Sequence, residues 1–391
     1  MSKTDLSRLA DLSPSVPGAS SGRHLALDVL RGMTICFMIV VNTPGSSPYS
    51  YTPLEHSAWH GFTLTDLVFP TFLFVVGNAM SFVMPKWEMQ PQSQVLLRIA
   101  RRTLVIFLCG YLLYWFPFWR ESPDGHWAFK PLSHTRIMGV LQRIALAYGS
   151  SSLLIYYFRP KVAGIIAVAI LLLYWPILYW FGDSGDPLSL TGNAVLKMDK
   201  WLLGDAHLYH GEGIPFDPEG LLSTLPAIAN VIGGYIAGRF VQKKGKTYEG
   251  LSLLLLAGFG LLAAGYFWDL VFPINKKIWT SSFVVYTLGL DCVLLAVLLY
   301  LIEFRQKKRW TPFFVSFGKN PLFIYLLSEV GAESIYIWHT GSGVPVHKWV
   351  YDHIYSHLGL SFGSMLFSVS FMLLCWLVAY WLDRRKIYIR V

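Results

Sequence analysis

The chain has 391 residues, of which 54% are hydrophobic, 16% aromatic and only 14% charged, with a net charge of +9. Soluble domains carry about 25% charged residues, so this composition excludes an ordinary soluble enzyme. It points to an all-α, polytopic integral membrane helical bundle, because helices satisfy their own backbone polar groups in lipid.

Residues 1–24 are polar and rich in Ser, Pro and Gly. They read as a disordered cytoplasmic tail without the apolar core of a signal peptide. Residues 25–391 read as a single transmembrane domain. Ten apolar runs follow, at 25–43, 64–84, 97–118, 137–158, 161–181, 220–241, 249–272, 279–302, 311–331 and 363–382. Each is near the ~20 residues a bilayer requires, which predicts about ten transmembrane helices. Cys36, Cys109, Cys292 and Cys375 all fall inside these runs. No disulfide framework or zinc ribbon is therefore expected.

The basic residues set the orientation. Twenty-one Lys and Arg lie in the tail and alternate loops, against eight on the opposite side. The positive-inside rule then puts both termini in the cytoplasm. The net charge is accounted for by topology, and no nucleic-acid partner is needed to explain it. The outer loops become 44–63, 119–136, 182–219 and 332–362, and ten of the eleven histidines fall on that side. No clear internal repeat is visible, which weakens a transporter built from inverted repeats.

Ionisable groups inside membrane runs are costly and mark a protein interior or a water-filled path. Asp28, Arg31, Asp66, Arg143, Asp291, Lys319 and Glu329 are such groups, with Asn78, Gln142 and Asn320 as polar companions. Asp28 and Arg31, three apart, can pair on one helix face.

The stretch EHSAWHGFTLTDLVFPTFLFVVGN, 55 to 78, joins His56, His60 and Asp66 to the mouth of the second run. Spacing of four lets two histidines share a metal on a helix. HSAWH lacks the glutamate of a zincin motif and has no evident third ligand, so no metal site is expected. Asp66 suits the positive end of a helix, with Thr63 or Thr65 as the cap. It equally suits an acid that orients a histidine in a relay.

Two further outer segments carry charge. GDAHLYHGEGIPFDPEG, 204 to 220, gathers Asp205, His207, His210, Glu212, Asp217 and Glu219. It can receive a cationic or polyhydroxylated ligand such as an amino sugar, or act as a solvated lid built from turns. PINKKIWTSSFV, 273 to 284, offers Lys276 and Lys277 to a phosphate or to the membrane interface.

Six blocks in this order resemble the heparan-α-glucosaminide N-acetyltransferase family, within a wider transmembrane acyltransferase superfamily. They are RHLALDVLRGMTICFMIVVN, EHSAWHGFTLTDLVFPTFLFVVGNAMS, GVLQRIALAY, GDAHLYHGEGIPFDPEGLLST, PINKKIWTSSFV and FGKNPLFIYLLSE. The resemblance runs from about residue 23 to the C-terminus. It implies a reaction in which acetyl passes from cytosolic acetyl-CoA to a glucosamine amine across the membrane. The family's catalytic histidine, in a His-x-x-Trp-x-Gly-Leu-Thr-x-x-Asp-Leu-Val-Phe-Pro pattern, matches His56. Trp59, Gly61, Thr63, Asp66 and Pro70 follow in place, and Phe62 stands where the pattern has Leu. His60 falls where relatives can carry Asn.

On this resemblance His56 is the base or the acetyl carrier, Asp66 orients it, and Asn42 donates to the oxyanion. Arg143, Lys276, Lys277, Lys319 and Asn320 are candidates for the acetyl-CoA site. Trp59, Asp205, His207, Asp217 and Glu219 are candidates for the acceptor. Acetyl-CoA is the cosubstrate and no metal is expected. Neither the lumenal domain nor the extra span of lysosomal members is expected here, and no Asn-x-Ser/Thr sequon occurs in these 391 residues. Both features suggest a bacterial inner membrane and an amino sugar or cell-wall fragment smaller than heparan. A homodimer is expected only because dimers are common among polytopic enzymes. The rival reading is a proton-coupled amino-sugar permease using His56 and Asp66 as its coupling pair.

Overall fold

The computed structural model describes residues 25–121 and 126–389, and the 1–24 tail lies outside them. The described chain is helical apart from one small antiparallel ribbon, β1 (Trp119–Glu121) with β2 (Trp127–Phe129). In order, the main helices are α1 (Leu25–Asn42), α2 (Leu64–Trp87), α3 (Gln92–Trp115), α4 (Val140–Tyr157) and α5 (Pro160–Phe181). Then come α6 (Ala194–Leu203), α7 (Thr224–Lys244), α8 (Tyr248–Asp269), α9 (Ser281–Leu299), α10 (Thr311–Lys319), α11 (Pro321–Ile337), α12 (Val346–Val350) and α13 (Leu360–Arg384).

Helices occupy each of the ten apolar runs. Among the described residues, six are long and apolar enough to cross a membrane: α1, α2, α5, α8, α9 with its extension to Phe304, and α13. The ninth run is divided. Asn320 leaves the helical region at φ −128°, ψ 56°, and Pro321 opens α11. A residue before proline is pushed away from helical geometry, so a single continuous helix there was too simple an expectation. Asn320 turns this break into an anchor: its side chain donates to Ile387 O at 2.9 Å and accepts from Ile389 N at 2.8 Å.

Lipid offers helices no hydrophobic drive to associate, so close packing at small residues holds them together. The α2–α7 crossing shows this. A Cβ on Gly77 would stand 1.9 Å from Val231 O, and one on Gly234 would stand 2.0 Å from Phe74 O. α5 and α8 expose much of their surface, as helices at the lipid boundary do.

The main core runs through α1, α2, α4, α7, α9 and α11. A second apolar cluster, including Tyr174, Leu178, Val195, Phe216 and Phe272, caps one end of the bundle. That cap carries the 44–63, 182–223 and 270–280 loops, and the candidate site lies beneath it.

Candidate active site

Asp66 fixes the site. It is fully buried in the first turn of α2. Its Oδ2 accepts from the backbone N–H groups of Thr63 (3.0 Å) and Ser57 (3.2 Å), and from Thr63 Oγ1 at 3.1 Å. Thr63 is the N-cap, while the Thr65 hydroxyl donates instead to Pro53 O at 3.2 Å. Asp66 Oδ1 is left for His56, whose Nδ1 lies 2.8 Å away. One carboxylate therefore both starts the helix and holds the histidine. His56 itself remains 45% exposed.

Lys276 covers the imidazole. Its Nζ is 3.0 Å from His56 Nδ1 and 3.1 Å from Nε2. A point equally close to both nitrogens in the ring plane would collide with Cε1, so the ammonium lies over the ring face. With Nδ1 engaged by Asp66, the in-plane lone pair of Nε2 stays open. The 273–280 loop that presents Lys276 is tied on several sides. Gly61 N–H donates to Ile274 O at 2.8 Å, Ile278 N–H to Asn275 Oδ1 at 3.0 Å, and Asn275 N–H to Thr280 Oγ1 at 3.0 Å. His60 joins the same lattice, 3.3 Å from Asn275 Nδ2. Burial lowers its pKa, with Asp186 and Asp269 opposing that shift.

His56, Lys276, Asn42, Glu219 and Tyr325 line a cavity of about 120 Å³. Asn42 donates to Glu329 Oε1 at 3.1 Å, so one amide hydrogen is engaged. Glu219 belongs to an ion triad: Arg136 Nη2 contacts Asp217 Oδ1 and Glu219 Oε2, both at 2.6 Å, and Nε donates to Asp217 Oδ2 at 2.8 Å. The guanidinium lies between the rings of Tyr114 and Tyr209. Burial raises the Glu219 carboxyl, but Arg136, Arg143 and Lys276 outweigh it and hold the group below the usual glutamate range.

The remaining sequence candidates are placed elsewhere. Arg143 is fully buried and braces the cap, donating to Pro218 O and to Ser223 Oγ beneath the Trp279 ring. Lys277 pairs with Glu212 at 2.5 Å. Trp59 donates to Leu188 O at 2.8 Å and packs on Phe216, which makes it part of the cap. His207 Nδ1 lies 2.8 Å from Thr135 O, and Asp205 is exposed near Lys200. The structure thus gathers His56, Asp66, Asn42, Lys276 and Glu219. It does not bring Lys277, Trp59, Asp205 or His207 to the walls of that cavity.

Lys319 stands apart, paired with Asp383 at 2.5 Å. It lines a second cavity of about 420 Å³ together with Arg31 and Arg102. The two cavities lie end to end along one face of α2. Thr65, Val68, Phe69 and Phe72 wall the first, and Phe72, Val76, Met80, Val83 and Trp87 wall the second. Steps of three and four are those of a single helix face. From Thr65 to Trp87 that face is about 33 Å long at ~1.5 Å per residue, close to the ~30 Å hydrocarbon thickness of a bilayer. Phe72 and Ile144 belong to both walls and so stand between the cavities.

Sequence reasoning missed four charged members of this arrangement: Glu329, Arg31, Arg136 and Arg102, the last counted only among the inner basic residues. Glu329 and Arg31 were visible as charges within apolar runs, yet nothing in one dimension tied them to His56 or to Lys319. Arg136 carried no signal beyond its count among outer basic residues.

Comparison with known proteins agrees with the motifs. Residues 23–198 match the family model described as heparan-alpha-glucosaminide N-acetyltransferase, catalytic. The chain is 27% identical over 379 residues to the heparan-alpha-glucosaminide N-acetyltransferase of Mus musculus, covering 82% of this chain and 55% of that protein. It is likewise 27% identical over 365 residues to the Homo sapiens protein of the same name, covering 79% and 53%. The chain spans about half the length of the curated relatives it matches.

Proposed function

We propose that this relative of the heparan-α-glucosaminide N-acetyltransferases is a membrane acetyltransferase. It moves acetyl from acetyl-CoA, held at the basic end of the bundle, to the amine of a glucosamine-type sugar at the His56 end. The observation that carries this reading is the α2 face. It joins a cavity with three basic side chains to a small cavity holding an acid-oriented histidine, over about one bilayer thickness.

Each part has a chemical task. Arg31, Arg102 and Lys319 supply the cations that CoA phosphates need. Apolar walls of the larger cavity accept the pantetheine arm, which passes Phe72 and Ile144 to bring the thioester to His56. Asp66 fixes the imidazole with Nδ1 protonated, so Nε2 is the base toward the acceptor amine. Asn42 has one amide hydrogen left for the developing oxyanion, a contact worth roughly 3 kcal/mol in acyl transfer. Glu219 places negative charge on the wall that an ammonium-bearing acceptor meets. Acetyl carriage on Nε2 is the other course open to the same atom. Release of one equivalent of CoA without acceptor distinguishes it.

This function needs the basic cavity to face the cytoplasm and the His56 cap to face outward, as the distribution of Lys and Arg suggests. About ten membrane crossings, both termini inside, and a bacterial inner membrane belong to the same proposal, as does a homodimer. The permease reading gains nothing from relatives named as transferases.

The test is acetyl-CoA binding by purified protein in detergent, followed as a thermal shift, alongside acetylation of glucosamine. A shift at micromolar acetyl-CoA with amine-dependent CoA release supports the proposal. A shift with amino sugars but none with acetyl-CoA overturns it in favour of transport.

A further inference from the structure

The sequence suggested Lys276 as a partner for CoA phosphate, but the fold puts it 3.1 Å from the nitrogen proposed to react. We propose that Lys276 is a second catalytic residue of this site, the acid that protonates the departing CoA sulfur. The inference rests on the acetyltransferase reading and deepens it.

Geometry supports this assignment in three ways. Lys276 Nζ lines the same cavity as His56, so an atom reacting at Nε2 lies within its reach. Its ammonium hydrogens are not committed to a carboxylate: the Asp66 oxygen is 3.9 Å away, beyond hydrogen-bond range. The adjacent Lys277, by contrast, is held by Glu212 at 2.5 Å. Finally, the loop carrying Lys276 is pinned by Asn275, which is itself fully buried, so the amine is held in place. The charged groups facing Lys276 are Asp66 on α2, Glu219 on the cap, Arg143 on α4 and the adjacent Lys277. Burial lowers its ammonium pKa, with Arg143 and Lys277 in the same direction and Asp66 and Glu219 opposed. A weakened ammonium is a better proton donor at neutral pH.

The step balances. The acceptor ammonium first gives its extra proton to solvent; the neutral amine then attacks the thioester carbonyl carbon, a C–N bond forms, and the carbonyl pair moves to oxygen. The surplus N–H proton passes to His56 Nε2. Collapse restores the carbonyl and breaks the C–S bond, and the sulfur leaves with that electron pair and takes a proton from Lys276. His56 is then protonated and Lys276 neutral. One proton passing between these adjacent groups restores both, so amide and free thiol are the only products.

The experiment compares Lys276→Met and Lys276→Arg with the unaltered full-length protein in detergent. Two donors are used: acetyl-CoA, and the acetyl ester of a nitroaryl thiol whose thiolate leaves without a proton. Arginine keeps the positive charge but holds its protons too tightly to give one up. Both variants are expected to lose about 10²–10³-fold in kcat with acetyl-CoA, with acetyl-CoA affinity and thermal midpoint retained. Both are expected to recover most of that loss with the nitroaryl donor.

Full activity of Lys276→Arg with acetyl-CoA overturns the assignment, since charge alone would then suffice. So does an equal loss with both donors. Where the unaltered protein does not use the nitroaryl donor, Lys276→Arg with acetyl-CoA decides. Absence of any amine-dependent transfer by the unaltered protein removes the acetyltransferase reading itself, a different failure.

Discussion

Replacing Asp66 with Asn changes one atom and should reverse the roles of the two imidazole nitrogens. Asp66 Oδ2 accepts from Thr63 N–H and Ser57 N–H, and Oδ1 faces His56 Nδ1. An asparagine has only one oxygen to place. Turning its NH₂ toward the backbone would leave two buried donors opposed, at about 1–3 kcal/mol for each unsatisfied group. The oxygen therefore stays with the backbone and the NH₂ faces His56. Nδ1 must then accept, and the ring proton moves to Nε2, the atom proposed as base. Misplaced tautomers of this kind lower kcat by about 10⁴ in serine proteases, and general-base loss by about 10²–10⁴ more widely. The expected result for Asp66→Asn is a fall of 10³-fold or more in kcat. The KM for acetyl-CoA should change less than threefold, and the thermal midpoint by only a few degrees. The assay is acceptor-dependent thiol release by purified protein. A variant within threefold of the original kcat would refute the orientation argument, and with it the use of Nε2 as base.

Other expectations follow from the same geometry. Arg102→Ala and Lys319→Ala should each raise the KM for acetyl-CoA about tenfold, the worth of one charge-assisted contact, while leaving kcat largely intact. Equal KM values would remove the basic cavity as the CoA site. Arg136→Met strands Asp217 and Glu219 in the cap, and loss of one partner of a buried ion group costs about 3–5 kcal/mol. Its thermal midpoint should drop steeply, and a drop of only a degree or two would contradict the triad's structural role. Asp199 is fully buried on α6, outside the apolar runs, and burial raises its carboxyl to about 7. Only its Oδ1 is bonded among the described residues, to Leu221 N–H at 2.9 Å. The folded protein thus holds a proton that the unfolded chain, with an ordinary aspartate near pH 3.9, has lost. This contribution to stability is intact below about pH 4, falls as pH rises toward about 7, and stays lost above that. Asp199→Asn should therefore raise the thermal midpoint at pH 8 and change it little at pH 4. A midpoint lowered at pH 8 would contradict the burial of an unsatisfied acid.

The helical architecture was legible because lipid imposes one rule on every segment. Apolar runs of the right length became helices, and His56 beside a capping acid pointed correctly to the contact between them. The break at Asn320 was also written in the chain, in the following proline, but a run-length reading averages over it. Tertiary closure was not legible. Lys276 sits 220 positions from His56 and Asn42 sits 287 from Glu329, and no local pattern encodes such pairs. Trp59 shows the opposite failure. Its place in a motif suggested a substrate contact, while its indole N–H is spent on Leu188 O and its ring on the cap. The shared face of α2 was not legible either, although Thr65, Val68, Phe69, Phe72, Val76, Met80 and Val83 recur at helical spacing. In an apolar run, lipid-facing and cavity-facing positions carry the same residue types, so periodicity gives no contrast.

The central claim is that acetyl crosses the membrane along that face to an acceptor activated by His56. It is tested most directly in sealed vesicles holding protein of one orientation, with acetyl-CoA confined to the basic side and glucosamine to the other. The account predicts N-acetylglucosamine on the side opposite acetyl-CoA, free CoA on the donor side, and neither with His56→Ala. Product formed only when both substrates share one side, or undiminished transfer by His56→Ala, would contradict it.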